Sequence, residues 1–258
     1  ARAKLERLRS GALLRTLPQP KPALNFCSND YLGLAGDQRL KATAAAALEH
    51  GAGAGASRLV TGNHALYAEL EAKIAALKAT DAALVFGSGY LANLGTIPAL
   101  VGPDDLVVAD ELSHACMMSG AKLSGAMFHV FAHNDVGHLQ HLLKTHRAGS
   151  ENCLVLTEGV FSMDGDLAPL PDIIAAARDH DAWVMTDDAH GFGVIGNGRG
   201  SAAHWNARPD VQMGTLSKAV GSYGGYVAAS RPVIDLLVNR ARSLVYATGL
   251  PPAVVAAS

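Results

Sequence analysis

Apolar positions along this chain alternate between two rhythms. Short apolar runs of strand length occur at 82–86, 106–109, 127–132, 153–157, 182–187, 211–215 and 224–229. Between many of them, apolar residues recur three and four apart, which predicts helices over 38–50, 64–79, 90–101, about 114–124 and 171–180. In 64–79 the predicted inward face carries Leu66, Leu70, Ile74 and Leu77. Strands alternating with helices predict an α/β fold: a three-layer sandwich with a mostly parallel central sheet covered on both faces. The N-terminal stretch differs. Residues 4–16 are basic with leucines at helical spacing and predict an amphipathic arm. Pro18, Pro20 and Pro22 end it in an extended linker. Leu24–Cys27 reads as a short strand, Asn29–Gly33 as a turn, and Gly51–Ala56 as a flexible loop after a helix. The expected division is residues 1–36 as arm and linker and 37–258 as one large domain, with no internal repeat.

Composition narrows the function classes. The chain has 258 residues, 49% hydrophobic and 17% charged, enough for a large core. A net charge of −2 leaves no basic footprint for nucleic acid. No apolar run reaches membrane-span length, and the charges near Ala1 interrupt any signal-peptide centre. Cys27, Cys116 and Cys153 are far apart and form no CxxC, which argues against a disulfide framework or zinc ribbon and suits a reducing, cytoplasmic compartment.

Two patterns mimic sites. Gly191–Gly196 matches GxGxxG after a strand, but Asn197-Gly198-Arg199-Gly200 opens no helix. A dinucleotide pyrophosphate would lack its helix N-terminus there. His129, His133, His138 and His141 suggest a metal. Yet four strand residues span about 13 Å, so His129 and His133 would not share an ion. Solvated or capping histidines are expected instead.

The chemistry-bearing residues follow strands. Lys218 sits among small and apolar neighbours, Thr215-Leu216-Ser217 and Ala219-Val220-Gly221, an odd setting for a solvated amine. A desolvated lysine has a lowered pKa and attacks aldehydes. Asp187 ends the strand 182–187, where a carboxylate could keep a pyridine nitrogen protonated. His190 follows three residues later. Gly87-Ser88-Gly89-Tyr90 joins a strand to a helix, a setting for a phosphate. Thr215 and Ser162 add hydroxyls after strands, and His114 offers a flat ring. Each has a plainer reading: a surface lysine, a loop-capping Asp, a loop histidine, an ordinary glycine turn, a helix-capping His114. A parallel sheet, however, would gather all of them at one edge. Amine, carboxylate and phosphate-binding groups together are what pyridoxal phosphate requires.

The chain resembles the α-oxoamine synthase family of fold-type I pyridoxal phosphate enzymes. The resemblance is carried by Ser28-Asn29-Asp30-Tyr31-Leu32-Gly33, Gly89-Tyr90-Leu91-Ala92-Asn93, Asp110-Glu111-Leu112-Ser113-His114-Ala115, the segment Thr157–Gly165, Asp187-Asp188-Ala189-His190-Gly191 and Gly214-Thr215-Leu216-Ser217-Lys218. It implies the large domain of the aminotransferase fold. It also implies that Lys218 forms a Schiff base with the cofactor, Asp187 pairs with the pyridine nitrogen and His190 contacts the ring hydroxyl. Gly89 and Tyr90 would lie near the phosphate or the substrate end, Thr215 and Ser162 would hold the cofactor, and His114 would stack on its ring and meet substrate. Arg15 would meet the substrate carboxylate. The segment Ala132–Val136 and the arm 4–18 resemble the biotin-pathway branch, which implies L-alanine and pimeloyl-CoA as substrates and a homodimer. Sister reactions with glycine or serine are the neighbouring alternative. An NAD-linked oxidoreductase and a non-catalytic partner subunit are further ones; a partner subunit is expected to lack the lysine that is present here. The family's small C-terminal domain is expected to be absent or mostly absent from a chain ending at Ser258.

Overall fold

The structure, a computed structural model, describes residues 1–17 and 24–258. Its strands are β1 (Ala82–Phe86), β2 (Leu106–Asp110), β3 (Met127–Phe131), β4 (Cys153–Glu158), β5 (Trp183–Asp187), β6 (Val211–Thr215) and β7 (Gly225–Ala229). They form one sheet in the order β1-β7-β6-β5-β4-β2-β3. β7 runs antiparallel to β1 and β6, and every other neighbouring pair is parallel. The helices are α1 (Arg2–Ser10), α2 (Gln38–Ala47), α3 (Ala65–Lys78), α4 (Gly89–Leu100), α5 (Ala115–Ser124), α6 (Val136–His146), α7 (Leu170–Arg178), α8 (Ser201–His204), α9 (Arg231–Arg240), α10 (Arg242–Val245) and α11 (Pro252–Ala257).

Side chains alternate across the sheet, and both faces are covered. Phe86, Val107, Leu156 and Met213 pack with Ile97 of α4, Met117 of α5 and Leu237 of α9. On the opposite face Val108, Val155 and Val184 meet Leu139 of α6 and Ile173 of α7. Val85 and Tyr226 meet Ile74 of α3 and Val255 of α11. Two-sided burial explains the continuous apolar runs, since each fully buried Leu, Ile or Val contributes roughly 1.5–3 kcal/mol. The edge strand β3 keeps several exposed positions, among them Met127 and Val130, and β5 keeps one at its start, Trp183.

Several expectations change. The arm helix stops at Ser10, because Gly11 closes it and Ala12 turns left-handed at φ 55°. None of its residues is buried. The proline linker lies outside the described residues. Leu24–Cys27 forms no strand. No neighbouring strand pairs with it, and Asn25 Oδ1 instead accepts the Cys27 N–H at 3.0 Å, a local bond that competes with extended pairing. The buried face of α3 is rotated towards Tyr67 and Lys78, leaving Leu77 exposed. Tyr67 and Lys78 are drawn inward by polar partners: the Tyr67 hydroxyl accepts from Leu250 N at 2.6 Å, and Lys78 reaches Asp188. The turn at Asn29–Gly33 is present, with Gly33 at φ 66°. No described helix is long and apolar enough to cross a membrane.

Candidate active site

β1, β2, β4, β5 and β6 all deliver their C-terminal ends to one edge of the sheet, and a cavity of about 220 Å³ opens there. Gly89, Tyr90, His114, Asp187, His190, Thr215 and Lys218 line it, so Lys218 and Asp187 face the same space. Ser162 and Arg15 do not line it. Beyond Glu158 the chain folds into a small hairpin closed by the Val160–Leu167 bridge, which carries Ser162 out to an exposed turn. Arg15 is exposed in the stretch after α1.

Asp187 is buried, with its carboxylate accepting from Asn93 Nδ2 at 2.8 Å and Ala189 N at 2.9 Å. Burial raises its pKa, against those two donors and the Lys218 charge. No cation pairs with it among the described ion pairs. A protonated pyridine nitrogen is the kind of partner this buried carboxylate lacks. Lys218 has a lowered pKa, because burial outweighs the pull of Asp187 and Glu158. Its Nζ lies 2.7 Å from His190 Nε2. Burial, then the Lys218 and His114 charges, push His190 down to about 4, so its ring is neutral at pH 7. Nε2 then accepts from Lys218, and Nδ1–H is left to donate to the Tyr31 hydroxyl at 2.6 Å. Tyr31 in turn donates to Asn29 Oδ1 at 3.2 Å. The ring of His190 is thereby held from both nitrogens.

His114 caps α5. Its Nδ1 accepts the Cys116 N–H at 3.2 Å and lies 2.8 Å from Cys116 Sγ. Burial pushes the Cys116 thiol up to about 11, so it remains protonated. On the other wall Ser88 caps α4, accepting Leu91 N–H at 3.1 Å. The first N–H groups of α4 have no intrahelical acceptor and suit an anion. Thr215 Oγ1 lies 2.7 Å from Ser217 Oγ and donates to Gly224 O at 2.8 Å. The donor set and the carboxylate fit a phosphorylated pyridine aldehyde.

Ser88, Cys116, Glu158 and Ser217 also line the cavity, and Asn93 and Tyr31 hold its residues in place. Ser88 lies in the turn expected to hold a phosphate; the sequence assigns the others no role of their own. Glu158 had a signal: it ends β4 as Asp187 ends β5. Cys116 had none and Asn93 only its place in the segment Gly89–Asn93, because their contacts exist only once α4 and α5 pack together.

Gly225 lets β7 lie against the start of α4. It pairs with Phe86 on one side and Thr215 on the other, and an added Cβ would lie 2.5 Å from Gly89 N and 2.6 Å from Ser88 C. Main chain cannot yield cheaply. Gly225→Ala is expected to weaken pyridoxal phosphate binding at least about tenfold, equal to 1.4 kcal/mol, in equilibrium dialysis. Gly149→Ala, whose methyl meets nothing within 4 Å, is the neutral control.

The other patterns resolve differently. Gly191–Gly200 is a turn with a Phe192–Arg199 bridge, and no helix starts before Ser201. His138 accepts Ala132 N–H at 3.0 Å. His133 is neither solvated nor a cap: it bridges Asp110 at 3.0 Å and Asp166 at 2.8 Å.

A catalytic edge of this kind on a mostly parallel sheet defines a class, and the chain belongs to the aminotransferase class I and II family, whose model matches residues 21–258. Within it the α-oxoamine synthase resemblance holds. A curated 8-amino-7-oxononanoate synthase from Beijerinckia indica subsp. indica is 54% identical over 273 residues, covering 100% of this chain and 71% of that protein. One from Maricaulis maris is 60% identical over 238 residues, covering 91% of this chain and 61% of that protein. The structure of serine palmitoyltransferase from S. paucimobilis with a bound PLP–myriocin aldimine superposes with TM-score 0.90 at 32% identity, covering 99% of this chain and 68% of that one. An 8-amino-7-oxononanoate synthase from Francisella tularensis gives TM-score 0.76 at 27% identity, covering 90% and 66%. The chain thus spans about 70% of the length of several curated relatives it matches.

Proposed function

We propose that this chain carries the pyridoxal phosphate-binding large domain, residues 37–258, and the arm, residues 1–36, of a C-acyltransferase of biotin biosynthesis. The reaction joins L-alanine to pimeloyl-CoA and releases CoA and CO₂, giving 8-amino-7-oxononanoate. The names of the relatives support the reaction class. The observation that carries it is the placing of Lys218 Nζ, 2.7 Å from a neutral imidazole, in the same cavity as a buried carboxylate.

When bound, pyridoxal phosphate supplies an aldehyde for amines and a ring that accepts electrons from the substrate carbon. Asp187 would hold the proton on the ring nitrogen. Lys218, its pKa lowered by burial, would hold the aldehyde end and would take the proton from the amino acid Cα at Nζ. His190, fixed by Tyr31, would orient the ring hydroxyl, and His114 would flank the ring. The α4 start, with Thr215 and Ser217, would hold the phosphate. Ser162 and Arg15 keep only the family resemblance as support for holding cofactor and substrate.

A homodimer fits the exposed apolar side chains Leu13, Leu17, Leu24 and Phe26 of the N-terminal segment. Three free cysteines fit a cytoplasmic location. An absorbance spectrum before and after borohydride reduction, with the modified peptide mapped, is expected to place the cofactor on Lys218. Steady-state assays should then give the highest kcat/KM for L-alanine with pimeloyl-CoA. Preference for glycine with a short acyl-CoA, or serine with a long one, would point to a sister reaction. An unmodified Lys218 would end the reading.

A further inference from the structure

Asp187 has a neighbour that the mechanism above leaves unused. Glu158 ends β4, and in the parallel β4–β5 register its partner is Asp187. Both residues are buried, and both line the cavity. Two adjacent buried carboxylates do not both ionise readily; the pair holds a proton between pH values where isolated carboxyls have none. Hydrogen bonding decides where that proton resides. Asp187 accepts from Asn93 Nδ2 and Ala189 N–H, both of which favour its charge. The Glu158 carboxyl has no comparable pair of donors: besides the Lys218 charge, the nearby His114 main-chain N–H is what favours its charge. The other charges around Glu158 are Lys218 from the segment after β6 and Asp110 from the end of β2; the Cys116 thiol of α5 and the rings of His114 and His190 line the same cavity.

We propose that Glu158 carries the proton of the Glu158–Asp187 pair and is a positioning residue that keeps a second negative charge away from Lys218. An ionised Glu158 would stabilise the Lys218 ammonium and hold back its amine. A neutral one leaves Asp187 as the only charged acid beside the cofactor ring nitrogen. Burial, followed by the Asp187 charge, sets the Glu158 carboxyl at about 8, in keeping with this placing. The inference rests on the function proposed above, but its test does not need the reaction.

The test uses the cofactor-free chain. Infrared spectra across pH are expected to show a protonated-carboxyl C=O stretch at pH 7 that disappears with a midpoint near pH 8. Glu158→Gln should abolish the band, and Asp187→Asn should keep it with a lower midpoint. Labelling of Lys218 by an amine reagent provides a second readout. Wild type and Glu158→Gln should react alike at pH 7, and the wild type should fall behind the variant above pH 8, where Glu158 ionises. A band missing at pH 7 overturns the proposal. So does a band that survives Glu158→Gln and is lost in Asp187→Asn, which would put the proton on Asp187. A difference in labelling rate of about tenfold at pH 7, one unit of lysine pKa, also overturns it. If Glu158→Gln does not fold, Asp187→Asn decides: a band kept with a lower midpoint supports the proposal, and a band lost overturns it. Failure of the cofactor to attach to Lys218 would remove the functional reading and leave the infrared result intact.

Discussion

Lys218→Ala is expected to lower turnover by more than about 10⁴-fold, because in the proposed reaction one change removes both the nucleophilic amine and the base that would take the Cα proton. Stability should move by less than about 1 kcal/mol, since truncation removes a partly desolvated amine rather than a packed core group. The two effects separate the chemical role from a structural one. The purified variant should show no borohydride-stable label at this position, and its release of CO₂ from L-alanine should be at background. A small exogenous amine should restore part of the rate, because it can stand in as proton acceptor in the space the side chain vacates. Loss of stability in parallel with loss of activity would mean that Lys218 holds the loop after β6 in place, and the catalytic assignment would fail. The contrast with Asp187→Asn is informative. Asparagine keeps the shape but cannot balance a protonated ring nitrogen, so cofactor should still attach to Lys218 while Cα proton removal slows.

Much of this site was legible because its residues follow strands, and these strands announce themselves. Covered on both faces, β1, β2 and β4–β7 read as largely apolar runs, interrupted in β6 by the buried Gln212, so their ends could be placed within a residue or two. Lys218, Asp187, His114 and Gly89 were found at those ends. The same precision explains a miss: closing β4 at Thr157 hid Glu158, which is the last strand residue and the cross-strand neighbour of Asp187. α6 went unseen because only Leu139 and Leu143 of its residues are buried and its histidines invite a metal reading. α9 opens with Pro232, which looks like a stop but is compatible with a first helical turn. The arm and the Leu24–Cys27 segment had helix-like and strand-like composition but no described partner to bury against, and pattern alone does not supply one.

Lys78→Ala should unfold the chain more readily than any other single change outside the core, by about 3–5 kcal/mol in urea titration. Its Nζ donates to Asp188 Oδ2 at 2.8 Å and to Arg199 O at 2.9 Å, and both side chains of the ion pair are 1% exposed. Asp188 also accepts Ser201 N–H at 3.0 Å. Gly159, Gly191 and Gly200 crowd so closely around this carboxylate that a Cβ at any of them would meet it within 2.6 Å. The pair therefore ties α3 to the loop that runs from Asp187 through His190 to Ser201. Removing the amine strands a buried charge with which no other cation pairs among the described residues. Asp188→Asn in the Lys78→Ala background should recover part of the loss, because it removes that charge while keeping an acceptor for Ser201. The double-mutant cycle measures the coupling. Since Asp188 adjoins Asp187, Lys78→Ala should also weaken pyridoxal phosphate binding even where the protein remains folded. A cost near that of an exposed pair, about 0–1 kcal/mol, would show that water reaches Asp188 and that the loop after Asp187 is held by something else.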